Sequence, residues 1–438
     1  MDSGLSSYRE ALEKVSPLRV KGKVTKVIGL IIESAGPVAS MGELCEVYQN
    51  STYIGMAEVV GFRDSSTLLM ALTAMDKMRP GMDVVATKRP FSAQVSEGLL
   101  GRVISGLGEP LDGKGPLASG SEVDLHQSPP NPMERQRIAD VMVTGIRAID
   151  GFRTMGKGQR LGIFSGSGVG KSVLMGMIAR NCKADINVVA LIGERGRELK
   201  EFIEKDLGEE GLKRSIVVVA TADTPAIVRV KAAFLATAIA EHFRDQGKDV
   251  MLMMDSSTRI ALAQREIGLA AGEPPTTRGF PPSVFSMLPR LFERAGMGKC
   301  GSITALYTVL VEGDDLDEPI SDAVRSVLDG HIVLSRDLAN RNHYPAIQVL
   351  QSVSRCFTDV VTDKQKEAVG QLLKYMAIYA DSEDMIQLGA YVKGTNADLD
   401  QAVELNPLVE KFLMQQIEET TDFDEALNQL SDIKGHIP

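Results

Sequence analysis

The stretch Leu161-Gly-Ile-Phe-Ser-Gly-Ser-Gly-Val-Gly-Lys-Ser-Val-Leu174 decides the fold. An apolar strand, Leu161 to Phe164, runs into a glycine-rich turn, and Lys171-Ser172 opens a helix directly after it. Backbone N–H groups of such a turn wrap phosphates, and glycines are needed because side chains would block the close approach. Gly166, Ser167, Gly168, Val169, Gly170, Lys171, Ser172 and Val173 are therefore the candidate phosphate-binding residues. The lysine neutralises the terminal phosphates and the Ser172 hydroxyl coordinates Mg2+. The strict pattern has glycine six residues before the lysine, where this chain has Ser165.

Such a site needs a carboxylate for the metal. Asp255 ends the apolar run Val250-Met-Leu-Met-Met254, so an adjacent strand would deliver it to the same crevice. The plain alternative is that Asp255 caps the helix beginning near Ser256. Hydrolysis also needs a group that orients and polarises water. Glu194, in Gly193-Glu-Arg-Gly-Arg-Glu198, follows the strand Asn187 to Ile192 and is the candidate, with a solvated cap as the alternative. Arg355 closes Gln348-Val-Leu-Gln-Ser-Val-Ser-Arg355 and reads either as a solvated strand end or as an arginine finger that stabilises charge on the transferring phosphoryl group.

Working outward, the 438 residues suffice for two to four domains with large cores. Hydrophobic residues at 44% and charged residues at 24% are globular values that exclude collagenous and disordered chains. A net charge of −10 offers no general attraction to nucleic acid or anionic lipid. Cys45, Cys182, Cys300 and Cys356 lack the close spacing of a zinc or dithiol motif, and a reduced cytosolic compartment is expected. No apolar run approaches the roughly 18 residues that span a bilayer.

Residues 1–21 suggest a short amphipathic helix, with Tyr8, Leu12 and Val15 on one stripe after a capping-box spacing at Ser7. It either packs on its own domain or docks a regulator. Residues 22–90 hold short Val- and Ile-rich runs (24–32, 57–62, 67–72 and 84–87) and predict a small all-β barrel or sandwich. Residues 91–136 turn loop-like and are expected to hold the domain boundary. Residues 137–361 alternate apolar strands with helices, the strands falling at 161–164, 187–192, 215–220, 250–254, 302–310 and 346–350. That rhythm predicts an α/β domain with a parallel sheet covered on both faces. Residues 362–438 predict a helical domain, with helices over 364–379, 398–403 and 407–418.

Together, Gly166 to Ser172, Gly193-Glu-Arg-Gly-Arg-Glu-Leu199, Asp255-Ser-Ser-Thr-Arg-Ile-Ala-Leu-Ala-Gln-Arg-Glu-Ile-Gly268, Gly272-Glu-Pro-Pro-Thr-Thr-Arg-Gly279, Asp329-Gly-His-Ile-Val-Leu-Ser-Arg336 and Ser352-Val-Ser-Arg355 resemble the ATPases of bacterial type III secretion systems. The flagellar branch is the nearest match, and the family is related to the rotary ATP synthase subunits. The resemblance implies a RecA-like P-loop core between an N-terminal barrel and a C-terminal helical domain, with ATP and Mg2+ as cofactors. It assigns phosphate and metal contact to Lys171 and Ser172, the metal's water shell to Asp255, and water activation to Glu194. Arg195 would also approach the γ-phosphate, and Tyr344 would stack on adenine. Arg355 would reach the nucleotide of the neighbouring subunit, which implies a homohexamer. The implied partners are a regulatory stator protein, export-gate membrane proteins, chaperone–substrate complexes and a central stalk-like protein. The implied location is the cytoplasmic face of the inner membrane.

Three other readings compete. A rotary synthase subunit would carry an acidic stalk-contact segment, and none resembling it is found. A hexameric RNA translocase would need a basic, aromatic barrel, whereas residues 22–89 hold only Tyr48, Tyr53 and Phe62 as aromatics. A nonhydrolytic scaffold is disfavoured by Lys171, Glu194, Asp255 and Arg355. Flagellar and virulence export share one enzyme core, and overall likeness favours the flagellar one.

Overall fold

The structure is a computed structural model that describes residues 20–73, 75–311 and 318–437. The expected helix after Ser7 lies outside them. Six strands close the N-terminal barrel: β1 (Lys21–Ile28), β2 (Ile31–Ala35), β3 (Glu43–Gln49), β4 (Thr52–Arg63), β5 (Ser66–Ala71) and β6 (Asp83–Pro90), in the order β1-β2-β5-β4-β3-β6. The run 24–32 divides into two strands because Gly29 takes a φ of +57°, a turn conformation that favours glycine. Alternate residues such as Val24, Ile32, Val47, Val59, Leu69 and Val84 fill the interior.

The expected loop region 91–136 contains sheet. Ser92–Val95 pairs antiparallel with Ser121–Asp124, and β7 (Val103–Ser105) joins the central sheet as its parallel edge. Strands of three or four residues are too short to show a period, so the surrounding glycines and prolines dominate the reading.

The central nine-stranded sheet continues with β8 (Arg160–Ser165), β9 (Ile186–Ile192), β10 (Ser215–Ala220), β11 (Asp249–Asp255), β12 (Ser302–Leu310), β13 (Gly330–Leu334) and β14 (Val353–Ser354), ordered β14-β13-β8-β12-β11-β9-β10-β7, and its ninth strand, the short Gly296–Met297, pairs antiparallel with the start of β12 off this path. Alternate residues of β9 enter opposite cores: Val188, Ala190 and Ile192 on one face, Val189 and Leu191 on the other. Burial on both faces is why this strand reads as an unbroken apolar run. Residues 346–350, expected as a strand, form one bridge from Ile347 to Leu334 and then a 3-10 turn at Val349–Gln351. Pro345 has no N–H to give a ladder, and the strand in that place is β13.

The helices used below are α1 (Arg147–Phe152), α2 (Lys171–Asn181), α3 (Ala226–Asp245), α4 (Ser257–Ala271), α5 (Pro282–Phe292), α6 (Asp363–Gln387), α7 (Ala397–Leu413) and α8 (Phe423–Lys434). The two expected helices at 398–403 and 407–418 are one helix, α7, which ends at Leu413, so residues 414–418, expected as helix, are not helical. Its buried stripe of Leu399, Ala402, Leu405, Val409 and Phe412 continues past Pro407, so packing outweighs the hydrogen bond that proline removes. Phe412 packs against α1, where a Cβ at Gly151 would meet its ring at 2.9 Å.

A buried ion pair ties the segment before the ATPase core to that core. Arg294 and Glu241 are 1% and 2% exposed, with Nε to Oε1 at 3.0 Å, and Arg294 also donates to the Leu125 carbonyl. Removing one partner strands a desolvated charge. Arg294→Met should therefore lower stability by about 3–5 kcal/mol, and adding Glu241→Leu should restore much of it. Thermal unfolding of both variants checks this; additive losses would contradict it.

Candidate functional site

The site lies along the carboxyl edge of the parallel sheet. β8 ends at Ser165, the glycine turn follows, and α2 begins at Lys171. Gly168 and Gly170 have φ of +78° and +93°, in the left-handed region that L side chains rarely adopt. Neighbouring strand ends bring in the rest: β12 pairs with β8 and β11, and β11 pairs with β9.

Asp255 is the hub. It is 3% exposed. Its Oδ1 accepts from the Lys171 ammonium and from Thr308 Oγ1, the latter at 2.7 Å. The helix cap is a different residue, since Ser256 Oγ accepts the Arg259 N–H at 3.4 Å. Asp255 is thus left for the crevice, as one of its two sequence readings expected.

Glu194 follows β9 by two residues and is half-buried. Burial first, then the negative charge of Asp255, push its carboxyl up to about 7, while Lys171 and Arg259 pull the other way. The four groups therefore share one electrostatic environment. Arg259 lies against the Gly193 turn, where an added Cβ would meet its own Cβ at 2.9 Å. Its Nε is buried and, among the described residues, has no hydrogen-bond partner. A buried donor of this kind suits a polar, anionic ligand.

Sequence reasoning missed Arg259 and Thr308. Thr308 shares its buried strand with Ser302, Thr304 and Tyr307, so its hydroxyl does not stand out in the sequence; its need for a partner shows only once the strand is seen beside Asp255. Arg259 sits one helical turn beyond Asp255, and so on the same edge.

The remaining candidates fall elsewhere. Tyr344 is 41% exposed and lies beside the glycine turn, with its ring 3.4 Å from a Cβ built on Gly170. Arg195 is not brought to Lys171 or Asp255: its side chain is 81% exposed and faces Glu198 at 3.8 Å. Arg355 is exposed at the opposite edge of the sheet. Its N–H donates to the Asp329 carbonyl at 2.9 Å, and the Asp329 carboxylate pairs with Arg160, the first residue of β8. The length of β8 alone, at about 3.3 Å per residue, separates this region from the chain's own glycine turn by roughly 17 Å.

Ser172 Oγ at the start of α2 and the Asp255 carboxylate are hard oxygen donors. Among the described residues no group of three or more His, Cys, Asp or Glu side chains is arranged to hold a metal. That donor set fits Mg2+, which takes one or two protein oxygens and completes its shell with phosphate and water.

A phosphate-binding turn between a buried parallel strand and a helix, with a lysine, an acid and a second acid at adjoining strand ends, defines a P-loop nucleoside triphosphatase. Residues 145–354 match the nucleotide-binding domain of the ATP synthase alpha/beta family, residues 24–88 its beta-barrel domain, and residues 361–432 the C-terminal domain of the type III secretion ATPase EscN. The chain is 53% identical to the flagellum-specific ATP synthase of Bacillus subtilis, covering 98% of this chain and 99% of that one. It is 49% identical to the type 3 secretion system ATPase of Xanthomonas euvesicatoria, covering 94% and 93%. The assembled ATPase EscN of the enteropathogenic E. coli type III secretion system has a similar structure, with a TM-score of 0.90, 44% identity, and coverage of 94% of this chain and 100% of that one. EscN in complex with its central stalk EscO is similar at a TM-score of 0.87 and 43% identity, over 94% and 100%. The chain belongs to the ATP synthase alpha/beta family, in its branch of type III secretion ATPases, and is an ATP-binding ATP hydrolase.

Proposed function

We propose that this chain is the ATPase of a flagellar protein export apparatus, hydrolysing ATP with Mg2+ to release and unfold export substrates. The observation that carries the catalytic part is the convergence of Lys171 and Thr308 on Asp255 beside a raised Glu194. Lys171 and the glycine turn from Gly166 bind phosphates, Ser172 and Asp255 hold Mg2+, and Glu194 holds the attacking water and takes its proton. Mg2+ held there would supply charge neutralisation for the phosphates. Tyr344 stacks on the base. Arg195 approaches the γ-phosphate only if it turns inward from its exposed position.

The active form is a homohexamer in which Arg355 completes the neighbour's site. The exposure of Arg355 and its distance from its own P-loop support this, as does the likeness to an ATPase described as assembled. A central stalk-like protein is a fitting partner, since a similar ATPase is seen with its stalk. The stator, export-gate and chaperone–substrate partners, and a peripheral place at the inner membrane's cytoplasmic face, follow from the family. Among the described residues no helix is long and apolar enough to cross a membrane.

A virulence export role is the second reading, favoured by the 49% identity to the Xanthomonas protein. Two deletion hosts distinguish them, one lacking its flagellar export ATPase and one its virulence ATPase. Expression of this chain should restore motility in the first and leave effector secretion unrestored in the second; the reverse result would overturn the flagellar reading.

A further inference from the structure

We propose that Gln415 is a positioning residue for the base side of the nucleotide pocket, an inference that rests on Tyr344 stacking against the base. Gln415 lies in the connection between α7 and α8 and is 3% exposed. Its side chain is pinned at both ends to the ATPase core and to its own loop. Oε1 accepts the Arg147 N–H at 3.0 Å, while Nε2 donates to the Gly145 carbonyl at 2.8 Å and to the Glu419 carbonyl at 2.9 Å. Both amide donors are thereby used. Its own N–H donates to the Tyr344 carbonyl at 2.9 Å. Tyr344 in turn lies against Gly170 of the glycine turn.

The same connection is gripped on either side of Gln415. Arg147 Nε donates to the Phe412 carbonyl at 2.9 Å, and Arg180 Nη2 donates to the Ile417 carbonyl at 3.0 Å. Arg180 lies on α2, the helix that Lys171 opens. These two arginines hold the loop in place, and Gln415 joins that hold to Tyr344 through its own N–H. Its amide sets where the loop's backbone stands, the backbone sets Tyr344, and Tyr344 sets one wall beside Gly170. At the phosphate end, Lys171 and Asp255 are held by bonds outside this chain, to each other and to Thr308.

The separation gives a specific test. Binding of ADP and of tripolyphosphate, each with Mg2+, is measured by calorimetry for the full-length protein, Gln415→Ala, Tyr344→Ala and the double variant, alongside steady-state ATP hydrolysis. Losing buried hydrogen bonds at the base side should weaken ADP by about five- to tenfold in Gln415→Ala while tripolyphosphate stays within about twofold. KM for ATP should rise by more than kcat falls. In the Tyr344→Ala background the further effect of Gln415→Ala should vanish. An equal loss of both ligands, an unchanged ADP affinity, or a Gln415 effect that persists without Tyr344 would overturn the inference. If Tyr344→Ala itself leaves the ratio of ADP to tripolyphosphate affinity unchanged, the stacking reading fails instead. Should the alanine variant not fold, Gln415→Asn, whose amide is one methylene short, must shift the same ratio in the same direction.

Discussion

Arg355→Ala should bind ATP with near-normal affinity and hydrolyse it about 10³-fold or more slowly, the loss typical of a removed arginine finger. The argument is one of position. The arginine is exposed, and its backbone is fixed at the amino end of β13 by the bond to Asp329. Its own P-loop is at the other end of the adjacent strand, which is the ground for the proposal that its guanidinium serves a neighbour. That has a consequence no cis mechanism shares. Lys171→Ala and Arg355→Ala should each be nearly inactive alone, but at an equimolar mixture about one junction in four pairs an intact P-loop with an intact finger by chance. Activity should reappear on mixing. Specific activity of the unmutated protein should also climb steeply with concentration as rings assemble, with native mass rising in parallel. Failure of the mixture to recover activity, with mixed rings shown by mass, would exclude Arg355 from the neighbour's site.

The parts of this site that were legible in the sequence share one property: each sits at the end of an apolar strand. A strand buried on both faces shows itself as an uninterrupted run, and the polar residue that ends it is conspicuous, which is why Asp255 after Val250–Met254 and Glu194 after Ile192 could be read. The sheet order that sets these ends side by side could not be read, because each pairing joins segments tens of residues apart. Arg259 and Thr308 were hidden for opposite reasons. Thr308 lies inside a run and looks like one more β-branched residue, while Arg259 lies on a helix, where basic residues usually face water. The same effect misplaced the last strand. Residues 346–350 are as apolar as a strand, yet their carbonyls and N–H groups go to a bridge and a tight turn, and β13, with a half-exposed His331 within it, takes the ladder. Helix breaks were over-read at Pro407 because the local cost of proline is visible in sequence, whereas the compensating burial of Val409, and of Phe412 against α1, is a tertiary fact. Arg195 shows the limit of carrying a role from a motif: its position follows Glu194, but its side chain faces solvent and Glu198.

The second large effect concerns Glu194. Glu194→Gln keeps the shape and removes the base, so kcat should fall by about 10²–10⁴-fold with little change in ATP affinity. The raised carboxyl adds a pH signature. Its ordinary range lies near pH 4.5, and burial together with the Asp255 charge lifts it to about 7. Accepting a proton from water needs the ionised form, which predominates above that value and is lost as pH falls through it. The kcat/KM of the unmutated enzyme should therefore be level at alkaline pH and decline about tenfold per unit below neutrality. Asp255→Asn removes the negative neighbour that disfavours a second charge, so its residual activity should decline at a lower pH, because only burial and the hydrogen bond with Glu198 then hold the carboxyl up. Lys171→Met acts with the opposite sign, since the ammonium favours the ionised form. A direct titration of Glu194 by carboxyl NMR in this variant should show its carboxyl above its position in the unmutated protein. An acid limb that survives unchanged in Glu194→Gln would assign the titrating group elsewhere and remove Glu194 from the proton transfer.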